Sequence, residues 1–508
     1  MTAAPSSDAR HAFPTVRSPS GLVLAALVSV LGVAGSYALA GNTPTFVVAP
    51  VNSLVVDLMP APVLTFSILV LGEVGDKLGF LLALALAVAA FGLVTLAGFA
   101  LGRRYGTAAA IGAVYFGGWG LAALLTGAPW TALGVAAPMV AATALVAVRP
   151  LDHLGDRVGE VDESRRLLVR VAGVAGASGL AYLLGSRMPF RTPPRLSVIP
   201  AAEQATIKRK LDEARSTSLA VDGIDGLVSP VGAFYEVDID TIDPAVDVAD
   251  WTLSVTGAVE TELSLSYDGL TSRQPAHRFV TLRCVGEPLN GDLMDNALWT
   301  GVPVDDLLTE AGVSAGATHV RLRAEDDYYE TFPLDALRGG LLAYGMNGYL
   351  LPRGHGYPVR ALVPGHWGEV NVKWLTAMEV LKREDKSYWE ERGWHGTGPV
   401  NTVAKLHAQN HLDDGRIQVG GHAYAGTRGV RSVEVSTDGG STWNDATLSA
   451  PLSDEDVWRQ WSYAYQPPGG EHEVVVRATD GTGTRQPQTR MQAFPSGASG
   501  WVTVRIAP

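Results

Sequence analysis

Cysteine is almost absent. Cys284 is the only one in 508 residues, so the chain can form no intramolecular disulfide, no iron–sulfur cysteine set and no C-x-x-C-H haem attachment. A Rossmann glycine fingerprint is missing too. Positive charge is scarce: 39 Lys and Arg face 51 Asp and Glu, a formal net charge of −12. No basic stripe offsets that excess, which argues against a nucleic-acid partner. A third absence is local. The apolar runs at residues 21–40, 79–101, 107–127, 129–148 and 171–186 contain no His, Asp, Glu, Lys or Arg. Without paired imidazoles they hold no b-type haem, and without intramembrane polar groups they offer no proton or ion path. Transport is excluded, and anchoring or partner docking is left.

What is present begins with those runs. A spanning helix needs about 20 apolar residues, and the first four qualify, with a weaker fifth at 171–186. Residues 61–72 are apolar but too short, so 41–78 read as a loop with an interfacial helix. Arg10, Arg17, Arg103, Arg104, Arg149, Arg157, Arg165, Arg166 and Arg170 fall on one side of this arrangement, and only Lys77 on the other. Cationic loops stay in the cytoplasm. Five spans therefore place everything after about residue 187 outside, whereas four or six would place it inside. Ser164, Arg165, Arg166, Leu167, Leu168, Val169 and Arg170 resemble a twin-arginine export signal, which suits a domain that folds around a cofactor before crossing. The expectation is a multi-pass cell-membrane region over 1–190, with the remainder on the extracytoplasmic side.

The composition then changes. Residues 191–224 read as a linker. From 225 to 398, short alternating runs such as HRFVTLRCV (277–285) mix with helical stretches such as VPVDDLLTEAG (302–312), an α+β pattern. Residues 399–508 read as strands alone. In RSVEVSTDGGSTW (431–443), an alternating run meets an Asp-Gly-Gly turn, and the density of such runs predicts an immunoglobulin-like β-sandwich lacking its inter-sheet disulfide.

Three stretches resemble the sulfite oxidase family of molybdopterin-dependent oxidoreductases. They are TLRCVGEPLNGDLMDNALWTGVPVDDLL (281–308), YGMNGYLLPRGHGYPVRALVPGHWGEVNVKWLTAMEV (344–380), and VEVSTDGGSTW with WRQW (458–461) and VRATDG (476–481). The second is the most specific, because its order of motifs is long. The resemblance implies a molybdopterin cofactor, with Cys284 as the metal ligand and a C-terminal dimerisation-type domain. A soft thiolate suits a molybdenum already bound by dithiolene sulfurs, and the metal would keep that thiol deprotonated. The cofactor also carries a phosphate, which calls for Arg, Lys or backbone N–H groups. Arg360, Lys373, His355, Asn371 and Asp326 match the family's cofactor-binding positions. Phe234, Tyr235 and Asp238 lie in a segment similar to its first cofactor-contacting strand. His366 is implied as the pocket histidine, and Trp394 stands where the family has a tyrosine.

The departures concern the substrate. The Arg and His that follow the paired aromatics in sulfite oxidases are missing from Phe234–Ile239, and Glu287 replaces an Asn. An acidic, aromatic pocket would repel a dianion, unless His366, His395 or Arg283 supplies charge. The expected activity is oxygen-atom transfer with two-electron exchange on a small substrate. Electrons would pass to or from a separate cytochrome or quinone-linked partner. The alternative is a cofactor-free, membrane-anchored binding protein that kept the fold. The intact set of Cys284, His355, Arg360 and Lys373 argues against it.

Overall fold

The computed structural model describes residues 13–147 and 199–507. The fifth apolar run and the Ser164–Arg170 motif lie outside the described residues. Two compact units are present. One takes the described residues 13–67, 71–147 and 238–245, and the other takes 68–70, 199–237 and 246–507.

The first unit is helical: α1 (Pro19–Ala40), α2 (Ala49–Leu58), α3 (Ala61–Phe66), α4 (Glu73–Tyr105), α5 (Thr107–Thr126) and α6 (Leu133–Ala147). Of these, α1, α4 and α5 are long and apolar enough to cross a membrane. Ser18 starts α1 by accepting the Gly21 N–H, the usual N-cap arrangement. The α4 helix runs 33 residues, or roughly 50 Å at about 1.5 Å per residue. It therefore outruns the span expected over 79–101, and its added turns carry Glu73, Asp76, Lys77, Arg103 and Arg104. The α6 helix is shorter than the span expected over 129–148. Gly127 closes α5 in the left-handed region at φ 63°, and the Pro129 carbonyl is held by the Trp119 indole at 3.0 Å, so the new helix starts later. Close packing of α1 on α6 depends on small residues: a Cβ on Gly35 would collide with the Gly134 carbonyl.

In the second unit, the segment expected to be a linker contains a 17-residue helix, α7 (Ala201–Thr217). Ile207 and Ala214, seven residues apart on one face, are buried, and Lys210 pairs with Asp454 at 2.9 Å. That spacing was hidden among charges.

The α+β portion holds β1 (Thr252–Gly257), β2 (Leu263–Ser266), β3 (Ala276–Arg283), β4 (Met294–Pro303), β5 (His319–Ala324), β6 (Tyr329–Pro333), β7 (Leu341–Met346), β8 (Tyr349–Leu350), β9 (Arg360–Leu362) and β10 (Leu375–Leu381). One sheet runs β2-β1-β10-β5-β6, and a second runs β3-β4-β7-β8 with β9 beside β7. Only the β1–β10 pairing is parallel. The second sheet is buried on both faces, as shown by the unbroken burial of β4 from Met294 to Val302, so its strands lose the alternation of a half-exposed sheet.

The remainder is β-rich: β11 (Val403–Ala404), β12 (Ala408–His411), β13 (Ile417–Tyr424), β14 (Val430–Ser436), β15 (Asn444–Asp445), β16 (Thr447–Leu448), β17 (Arg459–Tyr465), β18 (His472–Asp480) and β19 (Val502–Ile506). Two antiparallel sheets, β11-β13-β17-β16 with β12 on β13, and β15-β14-β18-β19, share one core around Val419, Trp461, Val433 and Val476. This portion grips β3. Buried Asp456 accepts the Tyr424 hydroxyl at 2.6 Å and the Gly365 N–H at 2.8 Å. Its carbonyl takes the Thr281 N–H at 2.9 Å, three residues before Cys284.

Candidate active site

Strand β3 ends at Arg283, and Cys284 is the first residue of the turn beyond it. Its N–H donates to the Leu293 carbonyl at 3.0 Å, which fixes the start of the loop. Beside the thiol stands Gly286. A Cβ built there would lie 3.8 Å from Cys284 Sγ and 3.7 Å from the Trp394 ring, so the glycine keeps open a cradle that any side chain would fill. Burial pushes the Cys284 thiol up to about 12; the Gly286 N–H opposes this, while Glu287 and Glu369 add to it. Such a thiol is inert at neutral pH unless a metal replaces its proton. Among the described residues no group of three or more His, Cys, Asp or Glu side chains is placed to hold a metal. A metal here would depend on one thiolate plus ligands brought by a cofactor.

Phe234 and Tyr235 link this point to a second cluster. Their rings stack at 5.5 Å. The Tyr235 N–H is held by buried Asp295 at 2.9 Å, and a Cβ on Gly368 would come 2.6 Å from its hydroxyl. The phenol is raised well above its ordinary value, first by burial and then by the neighbouring Cys284. On the other side, Phe234 meets the His355 ring edge-on at 5.5 Å.

His355 Nε2 lies 2.9 Å from the Val231 carbonyl. Burial, with help from Arg360 and Lys373, lowers its pKa to about 4, so the ring is neutral and its other nitrogen can accept. Arg360 donates to the His355 carbonyl at 3.3 Å and the Asn371 carbonyl at 3.0 Å, and lies over the Trp299 ring at 5.1 Å. Lys373 donates to the Gly354 carbonyl at 2.9 Å. Gly356, at φ 103°, sits between them: a Cβ there would fall 3.0 Å from Lys373 Cβ and 3.1 Å from Arg360 Cβ. Two cations and a neutral imidazole thus converge around a glycine turn, the chemistry a phosphorylated, donor-rich cofactor requires.

Other expected residues lie elsewhere or do different work. The Asn371 amide is used within its own loop, donating to the Trp367 carbonyl at 2.8 Å and accepting from the Val363 N–H at 2.7 Å. It positions that loop, and its carbonyl orients Arg360. His366 Nδ1 is 2.7 Å from the Pro364 carbonyl of its own loop, and its backbone bridges Pro399 at the joint with the C-terminal portion. Asp326 accepts the Tyr328 N–H at 3.2 Å in the turn between β5 and β6. Asp238 belongs to segment 238–245 of the helical unit. Trp394 is buried against Trp389 at 6.3 Å and Phe494 at 5.2 Å. Its buried indole N–H has no hydrogen-bond partner among the described residues, and the Cη2 edge of the same ring is what a Cβ on Gly286 would meet.

The acidic pocket expected around Glu287 needs correction. Glu287 accepts from Arg283 Nε at 2.9 Å and from the Leu293 N–H at 2.7 Å, and it also pairs with Lys405. All three charged side chains are fully buried. Arg283 further donates to the carbonyls of Asn401 at 3.1 Å and Ala498 at 3.3 Å. Glu287 is thus a paired charge, and the two groups act on the Cys284 thiol in opposite directions, Glu287 raising its pKa and Arg283 lowering it. Lys405 lies 118 positions from Glu287, so nothing local in the sequence announced the triad. Sequence reasoning also missed Glu369, which bears on Cys284 and whose carboxylate would collide with a Cβ on Gly396. Its place in P-G-H-W-G-E was a signal that drew attention only to the histidine.

Known proteins match this arrangement. Residues 240–389 match the model of the oxidoreductase molybdopterin binding domain, and residues 399–506 that of the Mo-co oxidoreductase dimerisation domain. The chain belongs to the sulfite oxidase family of molybdopterin-dependent oxidoreductases. It is 31% identical to sulfite oxidase of Gallus gallus over 48% of this chain and 65% of that protein. To an NADH nitrate reductase of Solanum lycopersicum it is 27% identical, over 52% of this chain and 36% of that one. A solved structure, the sulfane dehydrogenase SoxCD from Paracoccus pantotrophus, aligns with 56% of the chain at 20% identity and a TM-score of 0.47. The chain spans 55–65% of the length of the vertebrate sulfite oxidases it matches. The family implies the molybdenum cofactor. The Cys284 cradle, the orphan Trp394 N–H and the Arg360–Lys373–His355 cluster fit it.

Proposed function

We propose that the chain is a membrane-anchored oxidoreductase that moves an oxygen atom and two electrons at a molybdenum held by Cys284. The observation that carries this is the pairing of a cradled, half-buried thiol with a cationic cluster across the Phe234–Tyr235 stack. When bound, the cofactor would supply reversible two-electron chemistry and the oxygen-transfer site. The chain's own residues do the rest. Cys284 ligates, and Arg360 and Lys373 neutralise phosphate. Neutral His355 accepts from the pterin edge, while Phe234 and Tyr235 separate the two ends. Asp326 and Asn371 hold the loops around them. Trp394, with Phe494 beyond it, walls the substrate side, and its N–H is available to a substrate oxygen. His366 serves the loop that carries Glu369.

A small neutral substrate, such as a sulfoxide or N-oxide, suits this wall better than a dianion, because Arg283 is consumed by Glu287 and His366 by Pro364. The C-terminal portion is an immunoglobulin-like sandwich through which two copies would pair, consistent with the dimerisation-domain match. The apolar helices anchor the chain in the cell membrane with residues 187–508 outside, and a cytochrome or quinone-linked carrier exchanges the electrons. The test is molybdenum and pterin analysis of the purified chain, then a substrate screen with an artificial mediator. About one molybdenum per chain and mediator-linked turnover are expected. Absence of both metal and pterin would leave only a binding protein.

A further inference from the structure

Glu330 is a buried and Glu369 a half-buried acid, and neither is paired with a cation among the described residues. Glu330, on β6, is fully buried. Its Oε1 accepts the Tyr328 hydroxyl at 2.6 Å, and that same hydroxyl lies 3.2 Å from the Glu369 carbonyl. Glu330 Oε2 and Glu369 Oε2 are both buried with no hydrogen-bond partner among the described residues. Neither carboxyl forms an ion pair among the described residues. The groups that face them come from two further segments. Asp326 and Tyr328 lie in the β5–β6 turn. The Ser387 hydroxyl reaches Glu330, and Glu390 acts on both carboxyls. The nearby cation, Arg392, is spent on the Tyr388 ring at 3.6 Å and the Tyr388 carbonyl at 2.9 Å.

Two carboxylates cannot both stay ionised in such a place, because desolvation and mutual repulsion each favour the neutral form. We propose that Glu330 and Glu369 hold at least one proton at neutral pH, and that they form, with Tyr328 and Glu390, the relay carrying protons between solvent and the Cys284 site. The inference rests on the proposed oxygen-transfer function. Burial raises both carboxyls, each helped by a neighbouring carboxylate: Glu369 acts on Glu330, and Glu390 on Glu369.

The chemistry needs such a relay. Taking an oxygen atom from a substrate as water consumes two protons and two electrons. Oxidising a substrate with oxygen from water releases two of each. The electrons come from or go to the separate redox carrier, and the relay carries the protons on the side of Cys284 where Glu369 acts on its thiol. Glu369 stands at the relay's inner end, against the Gly396 turn that also packs on Val285. Glu330 and Tyr328 follow. Half-buried Glu390, which accepts the Ser387 N–H at 3.0 Å, reaches outward. A positioned acid near its working pH accelerates proton transfer by about 10²–10⁴-fold.

The test uses full-length holoenzyme and two isosteric variants, Glu330→Gln and Glu369→Gln. Infrared spectroscopy at pH 7 should show a protonated-carboxyl band in the wild type that shifts in D₂O and is lost or halved in each variant. At equal molybdenum content, turnover should fall at least about tenfold, with a changed solvent isotope effect. A wild type without that band, a band unchanged in both variants, or turnover within about twofold of wild type in both would overturn the proposal. Failure of the functional reading would appear separately, as a preparation without molybdenum, because the band is read without substrate.

Discussion

Two groups of buried acids sit in the same domain and are treated in opposite ways. Glu287 is enclosed by Arg283, Lys405 and a backbone N–H. Glu330 and Glu369 are enclosed by tyrosines, a serine and each other. The first arrangement fixes charge and ties the Cys284 turn to the C-terminal portion through Asn401 and Ala498. The second leaves charge adjustable. A buried carboxylate with two cations is a structural rivet, and one with none is a proton site. The lesson is that the count of acidic residues near a pocket says little until their partners are known.

The largest effect should come from breaking the rivet. Lys405→Ala leaves Glu287 half-compensated in a dry site and should cost about 3–5 kcal/mol. Thermal unfolding of the full chain, followed by tryptophan fluorescence, reads it. A shift below a degree or two would mean that water or Arg283 alone suffices. The double change Lys405→Met with Glu287→Met should recover much of the loss, because it removes both charges together.

Next comes the pH dependence of stability. Folding raises the Glu369 pKa to about 8, above its unfolded value of about 4.3. The stabilisation is therefore complete below the unfolded value and is lost as pH rises toward 8. Wild-type melting temperature should fall by several degrees from pH 5 to 8, and Glu369→Gln should flatten that slope. Equal slopes would place an ionised Glu369 in the fold, as Glu287 is.

A smaller stability effect is expected at the cofactor cluster. Arg360→Ala and Lys373→Ala should each lower the molybdenum-to-protein ratio several-fold while the chain still folds. An unchanged ratio with slower turnover would move them from the phosphate to the substrate. The exposed Lys208–Asp212 pair is the control. Its side chains are 76% and 43% exposed, so Asp212→Ala should leave the melting temperature essentially unchanged.

Sequence reasoning singled out Cys284, His355, Arg360 and Lys373 because each lies inside a long ordered motif whose spacing survives without coordinates. It also anticipated the β-rich C-terminal region, since period-2 runs and Asp-Gly turns are local signals. It misjudged Glu287, whose meaning depends on Lys405, a long-range contact. It passed over Glu330, a lone acid in a strand whose burial follows only from the packing of Tyr328 and residues 385–392. The α7 helix escaped notice because two buried positions, Ile207 and Ala214, are too few to stand out against charged neighbours.

The central claim is that Cys284 binds molybdenum, and X-ray absorption at the metal tests it most directly. Wild-type protein should show one more sulfur ligand than Cys284→Ser at the same pterin content, and the variant should lose nearly all turnover. An identical sulfur shell in the two proteins, or near-wild-type turnover in the variant, would contradict the account.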